Sequence, residues 1–427
     1  MKKIIFLFLL ATQTFLFSYP QIKSANYLME ASPESAGMST ERLKRLDNVL
    51  KEYTDKKWLA GCSAIIVRNG KIVYYKAFGY DDMDKGVPMK RDEIFRIASQ
   101  TKAIISAAVM ILYEEGKYLL DDPVSNYIPE FKNVRVLDKF NENDTTYTTV
   151  AAKREITIRD LLTHTSGLDY PVIGNKNMRA IYAKADIPSG IGTENRLLAT
   201  EMKKLAALPL AHQPGEQFTY GLSIDLLGYL VEVVSKMPLD VFLSKNIFEP
   251  LGMKDTYFYL PKEKYNRLAT LYTEDSMKRV IRSPKEKDGY HADYPNTNGR
   301  YFSGGAGLSS TAYDYAIFLQ TMLNGGTYNG RRILSRPVVR MMTMNQIGDL
   351  NLGSDKFGLG FGIATIKGSS MAPWSEGSFQ WGGYFGTSYW ADPKEKIVAL
   401  LMTQQNPNSH GDLGNKFKVL VYQAIDD

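Results

Sequence analysis

The sequence predicts an α/β protein in which one antiparallel sheet, flanked by helices, is built from both ends of the chain. A tight hairpin pattern lies at 62–75, and strand patterns return after Phe357. Between them the patterns are mostly helical. A chain of 427 residues can bury a core in each of two domains. We predict that 30–95 and 300–427 form the α/β domain and that 96–299 form an inserted, mostly helical domain.

The elements of the amino-terminal part have clear local signals. A capped amphipathic helix is predicted over 40–54, and Asn69-Gly70 supplies the positive φ angles of a tight turn between two strands. The only cysteine, Cys62, lies in the first of these strands, so no internal disulfide can form. A buried helix is predicted from about Ser99 to Gly116. Residues 132–155 are polar and are interpreted as a surface excursion.

The remaining elements follow the same rules. Helices are predicted over 195–208 and 223–236, and the Pro and Gly of 248–253 close another helix. Further predicted elements are a glycine-rich turn at 303–308, a helix over 311–323, strands over 357–364, 377–382, 386–392 and 397–403, and a last helix over 413–425. The glycine-rich turn lacks the Lys-Ser/Thr ending of a phosphate loop.

Composition excludes several classes of protein. The net charge of +6 is spread along the chain without a dense basic run, so a nucleic-acid partner is not expected. One cysteine and four scattered histidines give no metal-ligand spacing, so neither a metal nor another cofactor is expected. No serine has glycine at both −2 and +2, which excludes the nucleophile elbow of an α/β-hydrolase.

The first 25 residues have the pattern of a signal peptide. Lys2 and Lys3 precede an apolar stretch over 4–11, which is short for a membrane span. Cleavage could fall near Ser18 or Ala25, and a retained anchor is the alternative. We expect an exported, periplasmic or extracellular protein with no stable membrane span after processing.

The chemistry-bearing pattern is Ser99-Gln100-Thr101-Lys102. Residues three apart share a helix face, so the hydroxyl of Ser99 and the amine of Lys102 can meet. An amine desolvated against this apolar helix could take the serine proton, and a helix N-terminus offers amide donors to an oxyanion. The pattern alone is weak, because a chain of this length contains one or two by chance. His164 lies among hydroxyl side chains but has no acidic partner in sequence, and it is interpreted as structural.

Several stretches together resemble the serine β-lactamase, penicillin-binding protein and related esterase superfamily, especially its class C-like branch. The resemblance covers about 30–425. It rests on the Ser99 to Lys102 pattern, residues 161–167 (Leu-Leu-Thr-His-Thr-Ser-Gly), Tyr220, residues 249–253 (Glu-Pro-Leu-Gly-Met), residues 304–308 (Gly-Gly-Ala-Gly-Leu) and Trp381-Gly382-Gly383.

The resemblance implies roles for these residues. Ser99 would be acylated, Lys102 would assist, and Tyr220 would help to move protons. A tyrosine ordinarily ionises near pH ~10, so it can act as a base only if a cation such as Lys102 favours its phenolate. Trp381-Gly382-Gly383 corresponds to the K-T-G strand of the family. The backbone N–H groups of Ser99 and Tyr384 would then form the oxyanion hole, with 381–383 binding substrate at the junction of the two domains.

Two departures from the lactamase pattern bear on the substrate. Tyr220-Gly221-Leu222 lacks the asparagine of Y-x-N, and Trp381 replaces the lysine of K-T-G. Both are similar to the family VIII carboxylesterases, which carry W-G-G and hydrolyse short-chain esters. The predicted function is therefore an exported serine carboxylesterase that acts on a small ester. The alternatives are a β-lactamase, a D-alanyl-D-alanine carboxypeptidase, and a penicillin-binding-type receptor or scaffold without turnover.

Overall fold

The computed structural model describes residues 27–193, 195–287 and 289–427. The signal peptide predicted over 1–25 lies outside the described residues. Within the described ranges, no helix combines the length and the apolar character needed to cross a bilayer.

The main sheet joins the two ends of the chain, as predicted. Strand Gly61–Arg68 pairs antiparallel with Ile397–Thr403, so the amino-terminal and carboxy-terminal segments share one ladder. The short first strand pairs parallel with its neighbour, and the other neighbouring strands are antiparallel. The order across the sheet is Met29–Glu30, Lys71–Asp82, Gly61–Arg68, Ile397–Thr403, Ser388–Asp392, Phe379–Gly382, Gly362–Ile363 and Lys356–Phe357, with Val87–Pro88 attached to Lys71–Asp82.

Helices cover both faces of the two central strands, which are buried at every position. Successive strand side chains point to opposite faces, so Ile66 and Ala64 join one core and Ile65 and Val67 join the other. The first face packs against the terminal helices Thr40–Asp55 and Leu413–Tyr422. The second packs against Thr101–Glu114 and Ala312–Leu323. Cys62 is buried in the first core, and burial raises the pKa of its thiol to about 12.

The rest of the chain supplies the other helices and several small hairpins. The remaining α-helices are Ile158–Leu162, Lys176–Lys184, Leu198–Ala206, Ser223–Ser235, Leu239–Leu243, Glu249–Leu251, Arg336–Met342 and Ile366–Ser369. Short 3-10 helices lie at Pro33–Ala36, Ala98–Gln100, Val124–Asn126, Pro129–Phe131, Lys262–Arg267 and Tyr294–Asn296, and Ser244–Phe248 is a π-helix. Two-stranded pairs join Phe95–Arg96 to Ser309–Ser310, Arg135–Phe140 to Tyr147–Ala151, Tyr272–Glu274 to Val280–Arg282, Glu286–Lys287 to Tyr290–His291, and Thr327–Tyr328 to Arg331–Arg332.

One expectation needs correction. The strand predicted over 357–364 is a hairpin of two short strands, because Gly360 turns the chain with a φ of 92°. A Cβ on Gly360 would lie 2.3 Å from Oγ of Ser106, so this hairpin rests against the helix that follows Ser99. The segment 132–155 is mostly exposed, as expected of a surface excursion, and it contains a regular hairpin. The fold class is confirmed, and the domain boundaries at 96 and 299 stay a prediction.

Arg96 ties the loops near Ser99 to the sheet. Its side chain is 1% exposed. Its Nη1 donates to the carbonyl oxygen of Ala269 at 2.7 Å and to Oε1 of Gln404 at 3.0 Å, and its Nε donates to the carbonyl oxygen of Ala292 at 2.8 Å. One guanidinium therefore satisfies acceptors from three parts of the chain.

We predict that Arg96→Met lowers the free energy of unfolding by about 2–4 kcal/mol, because it leaves buried acceptors without a donor. Chemical denaturation followed by far-UV circular dichroism measures this loss. The control is Arg91→Met, since Arg91 is 48% exposed and pairs with the exposed Glu30. We expect the control to lose less than about 1 kcal/mol. Equal losses in the two variants would contradict the assigned role of Arg96.

Candidate active site

Ser99 lies in a tight turn that leads into a buried helix. The turn is the 3-10 helix Ala98–Gln100, which runs directly into Thr101–Glu114, so Ser99 precedes the α-helix instead of lying in its first turn. Ala98 has a φ of 41°, a left-handed conformation that residues other than glycine rarely adopt. The N–H of Ile97 donates to the carbonyl oxygen of Leu308 at 3.0 Å. The neighbouring loop thus holds the strained backbone that presents Ser99.

Lys102 is the centre of the site. It is 1% exposed, and its Nζ lies 3.2 Å from Oγ of Ser99, as the sequence spacing predicts. Nζ also donates to the hydroxyl of Tyr170 at 2.9 Å and to the carbonyl oxygen of Gly305 at 2.7 Å. A lysine side chain carries at most three N–H donors, so these three contacts can account for all of them. The structure brings the predicted pair together, and their catalytic roles stay predictions.

Tyr220 lies over Lys102 and beside Trp381. The Nζ of Lys102 is 4.5 Å from the centroid of the Tyr220 ring. The indole Nε1 of Trp381 donates to the hydroxyl of Tyr220 at 3.2 Å. Tyr220 precedes the helix Ser223–Ser235, and Trp381 lies in strand Phe379–Gly382. Residues far apart in sequence thus meet around Tyr220.

Tyr170 is a residue of the site that the sequence analysis missed. Besides its contact with Lys102, its ring centroid lies 5.5 Å from that of Tyr220. Burial, and then the neighbouring Tyr220 and Asp225, raise the pKa of Tyr170 well above its ordinary value. Tyr170 is therefore a neutral phenol that orients Lys102. No motif or spacing connects it to Ser99.

His164 supports Tyr220 from behind. Its ring centroid lies 4.8 Å from that of Tyr220, and its Nδ1 accepts from the N–H of Gly221 at 3.4 Å. Burial, assisted by the positive charge of Lys102, lowers the pKa of His164 well below its ordinary value. His164 is therefore a neutral residue that positions the segment carrying Tyr220. This agrees with the structural interpretation.

Glycine at 383 lets the end of strand Phe379–Gly382 approach the serine turn. A Cβ on Gly383 would lie 2.4 Å from the carbonyl oxygen of Ile97. A Cβ on Gly382 would meet only the carbonyl oxygen of Thr387, at 3.2 Å. Gly383 and Gly386 close a turn through a backbone hydrogen bond of 3.0 Å, and Tyr384 is the second residue of that turn. The amide-donor roles of Ser99 and Tyr384, and substrate binding by 381–383, stay predictions.

Among the residues that the structure describes, no group of three or more His, Cys, Asp or Glu side chains is arranged to hold a metal ion. The chemistry that the described site itself offers is that of a serine hydroxyl beside a buried amine. Such a pair suits nucleophilic attack on an acyl carbon.

Comparison with known proteins identifies the family. Residues 46–423 match the family described as Beta-lactamase. The chain belongs to the beta-lactamase family. This confirms the resemblance inferred from sequence and places the chain in a superfamily of serine hydrolases.

Relatives within the beta-lactamase family match most of the chain. Protein Rv1367c of Mycobacterium tuberculosis is 36% identical over 376 residues, which cover 84% of this chain and 89% of that protein. Esterase EstB of Burkholderia gladioli is 30% identical over 380 residues, with the same two coverages. Among solved structures, EstCE1, described as a hydrolase with promiscuous acyltransferase activity, superposes with a TM-score of 0.77 at 27% identity and covers 89% of this chain and 98% of that one.

We predict that His164→Asn makes the protein less sensitive to acid. A histidine that is neutral when folded binds its proton in the unfolded chain first, so stability falls as pH decreases below about 6.5. His164 should contribute about 1.4 kcal/mol of this loss between pH 7.5 and 5.5. Asparagine tolerates the φ of 56° at this position and retains an acceptor for Gly221. Free energies of unfolding across this pH range measure the effect, and identical slopes for wild type and variant would contradict it.

Proposed function

We propose that this protein is an exported serine carboxylesterase that hydrolyses short-chain esters through an acyl-enzyme on Ser99. The observation that carries the proposal is the geometry around Lys102. Its Nζ contacts Ser99, while the position next to Tyr220 holds the indole of Trp381 and not a lysine. Export rests on the predicted signal peptide.

The proposed reaction has two steps. Oγ of Ser99 attacks the ester carbonyl carbon, and its proton passes through Lys102 and Tyr220 to the leaving alcohol as the bond from carbon to the alcohol oxygen breaks. Water then attacks the acyl-enzyme and releases the acid, with the proton returning to Ser99. The N–H groups of Ser99 and Tyr384 would stabilise the negative oxygen in both steps.

Two side chains favour an ester over a lactam or a peptide. Leu222 is fully buried in the core, so this position offers no amide to bind an acylamino group. Trp381 is uncharged, so this position offers no cation for a substrate carboxylate. Its N–H is directed at the hydroxyl of Tyr220. A neutral ester requires neither contact. The esterase name of EstB and the hydrolase description of EstCE1 support the same choice.

We predict that the mature protein hydrolyses a short-chain p-nitrophenyl ester much faster than a chromogenic cephalosporin and that Ser99→Ala abolishes ester hydrolysis. Removing a nucleophile that acts with its base as a unit costs several orders of magnitude in kcat. Initial rates on both substrates, measured side by side for wild type and variant, test the proposal. Equal melting temperatures of the two proteins show that the variant is folded. Faster cephalosporin hydrolysis would overturn the substrate assignment, and activity retained in Ser99→Ala would overturn the nucleophile.

We predict that Trp381→Phe lowers kcat on the same ester about five- to tenfold with little change in KM. Phenylalanine keeps an aromatic ring but loses the donor to Tyr220, which is worth about 1 kcal/mol. The matched control is Trp374→Phe, since Trp374 lies under Lys418 in the core on the side of the terminal helices. The control should keep the wild-type kcat. A rise in KM alone in Trp381→Phe would mean that Trp381 binds substrate without acting on Tyr220.

A further inference from the structure

A second cavity lies beside the helical run 239–251, outside the site around Ser99. Its volume is about 980 Å³, which is large enough for a small organic molecule. Its lining residues come mainly from the helical run and from the segments 256–261 and 297–302. Among the described residues, none that belongs to the site around Ser99 lines this cavity. It is therefore a separate candidate for a binding site.

Aromatic side chains form much of the lining. The rings of Phe258 and Tyr259 lie against that of Phe302, with centroid separations of 5.2 and 6.0 Å. Gly299 leaves room for one of these rings, because a Cβ at this position would collide with Tyr259. The hydroxyl of Tyr259 donates to the carbonyl oxygen of Tyr301 at 2.8 Å, which holds the ring in place. The other aromatic residues of the lining are Phe248 and Tyr257. Aromatic faces attract cations as well as apolar groups.

Asp240 brings an acidic group without a full set of partners to this lining. It lies in the first turn of the helix Leu239–Leu243. Its Oδ1 is buried and has no hydrogen-bond partner in the part of the chain that the structure describes. Burial raises the pKa of Asp240, and backbone hydrogen bonds oppose that rise. Buried polar atoms are nearly always paired in folded proteins, so this oxygen indicates a partner that is not part of the chain.

The other charged side chains of the lining are already compensated or exposed. Oε1 of Glu249 accepts from the hydroxyl of Ser244 at 2.8 Å. Nζ of Lys264 lies 2.9 Å from the carboxylate of Asp255, which compensates its charge. Lys254 is exposed, so water screens its charge. The group at this cavity that still requires a partner is therefore an acid, and its natural complement is a cation.

We propose that this cavity is a second binding site, which takes an organic cation with an aromatic or alkyl body. The ammonium group of the ligand would donate to the carboxylate of Asp240, a charge-assisted hydrogen bond. The body of the ligand would lie against the rings of Phe258, Tyr259 and Phe302. The ligand thus supplies the donor that Oδ1 of Asp240 lacks.

The cavity adjoins a segment that supports Lys102. Phe302 lines the cavity and directly precedes the glycine-rich turn at 303–308. The carbonyl oxygen of Gly305 in that turn accepts from Lys102. The two sites are therefore connected through one turn, although they share no side chain. Binding in the cavity requires no reaction at Ser99, so this inference is independent of the proposed function.

Isothermal titration calorimetry near neutral pH tests the class of ligand with three matched probes. Tryptamine is positive, tryptophol is neutral and indole-3-propionate is negative, while all three carry the same indole. We expect the Kd of tryptamine to be at least about tenfold lower than that of tryptophol, and indole-3-propionate to bind most weakly. Equal affinities for tryptamine and tryptophol would overturn the inferred class of ligand. Absence of binding by all three probes at millimolar concentration would overturn the site itself.

Substitutions test the location of the bound tryptamine. Asp240→Asn removes the charge and keeps the shape, so the affinity should fall about tenfold. Val241 lines the cavity and is 47% exposed, so Val241→Arg adds a cation there without disturbing the core and should abolish binding. The control is Glu263→Gln, which removes an exposed carboxylate outside the lining and should keep the Kd within about twofold.

The outcomes of these substitutions decide the proposal. Wild-type affinity in Asp240→Asn or in Val241→Arg would overturn it, and so would an equal loss in Glu263→Gln. Far-UV circular dichroism shows whether each variant is folded. Val241→Arg, a surface change, decides the location if Asp240→Asn does not fold.

Discussion

The burial of Lys102 is the constraint on which the rest of the site depends. A lysine withdrawn from water must use all of its N–H donors, and it does so on Ser99, on Tyr170 and on the backbone of Gly305. These acceptors come from three separate parts of the chain. The position of the nucleophile is therefore tied to the loop after Gly167 and to the glycine-rich turn at 303–308.

Local sequence patterns predicted the parts of the structure that depend on local physics. Asn69-Gly70 forms the predicted turn, and the spacing of Ser99 and Lys102 gives the observed contact. Tyr170 and the bond from Trp381 to Tyr220 depend on tertiary packing, which no short spacing encodes. The prediction of a single strand over 357–364 was wrong for the same reason. Its apolar residues fit a strand, but Gly360 folds the segment onto the helix that follows Ser99.

Trp381 places a hydrogen-bond donor beside Tyr220 without adding a charge there. A lysine at this position would place a second cation beside Tyr220, where it could also attract a substrate carboxylate. The indole supplies one N–H to the same hydroxyl and no charge. Its aromatic contacts with Tyr220 and Phe357 fix the direction of that N–H. The site thus has an uncharged donor to the hydroxyl of Tyr220 whose direction is fixed by packing.

The glycines around the site allow the segments next to Lys102 to approach one another closely. A side chain at Gly305 would collide with Asp225 and Tyr170. Gly383 acts in the same way on the other side of Ser99, because it brings the end of strand Phe379–Gly382 against the carbonyl oxygen of Ile97. Close backbone approach on both sides helps to keep water from Lys102, which is 1% exposed, and a drier environment strengthens its hydrogen bonds to Ser99, Tyr170 and Gly305.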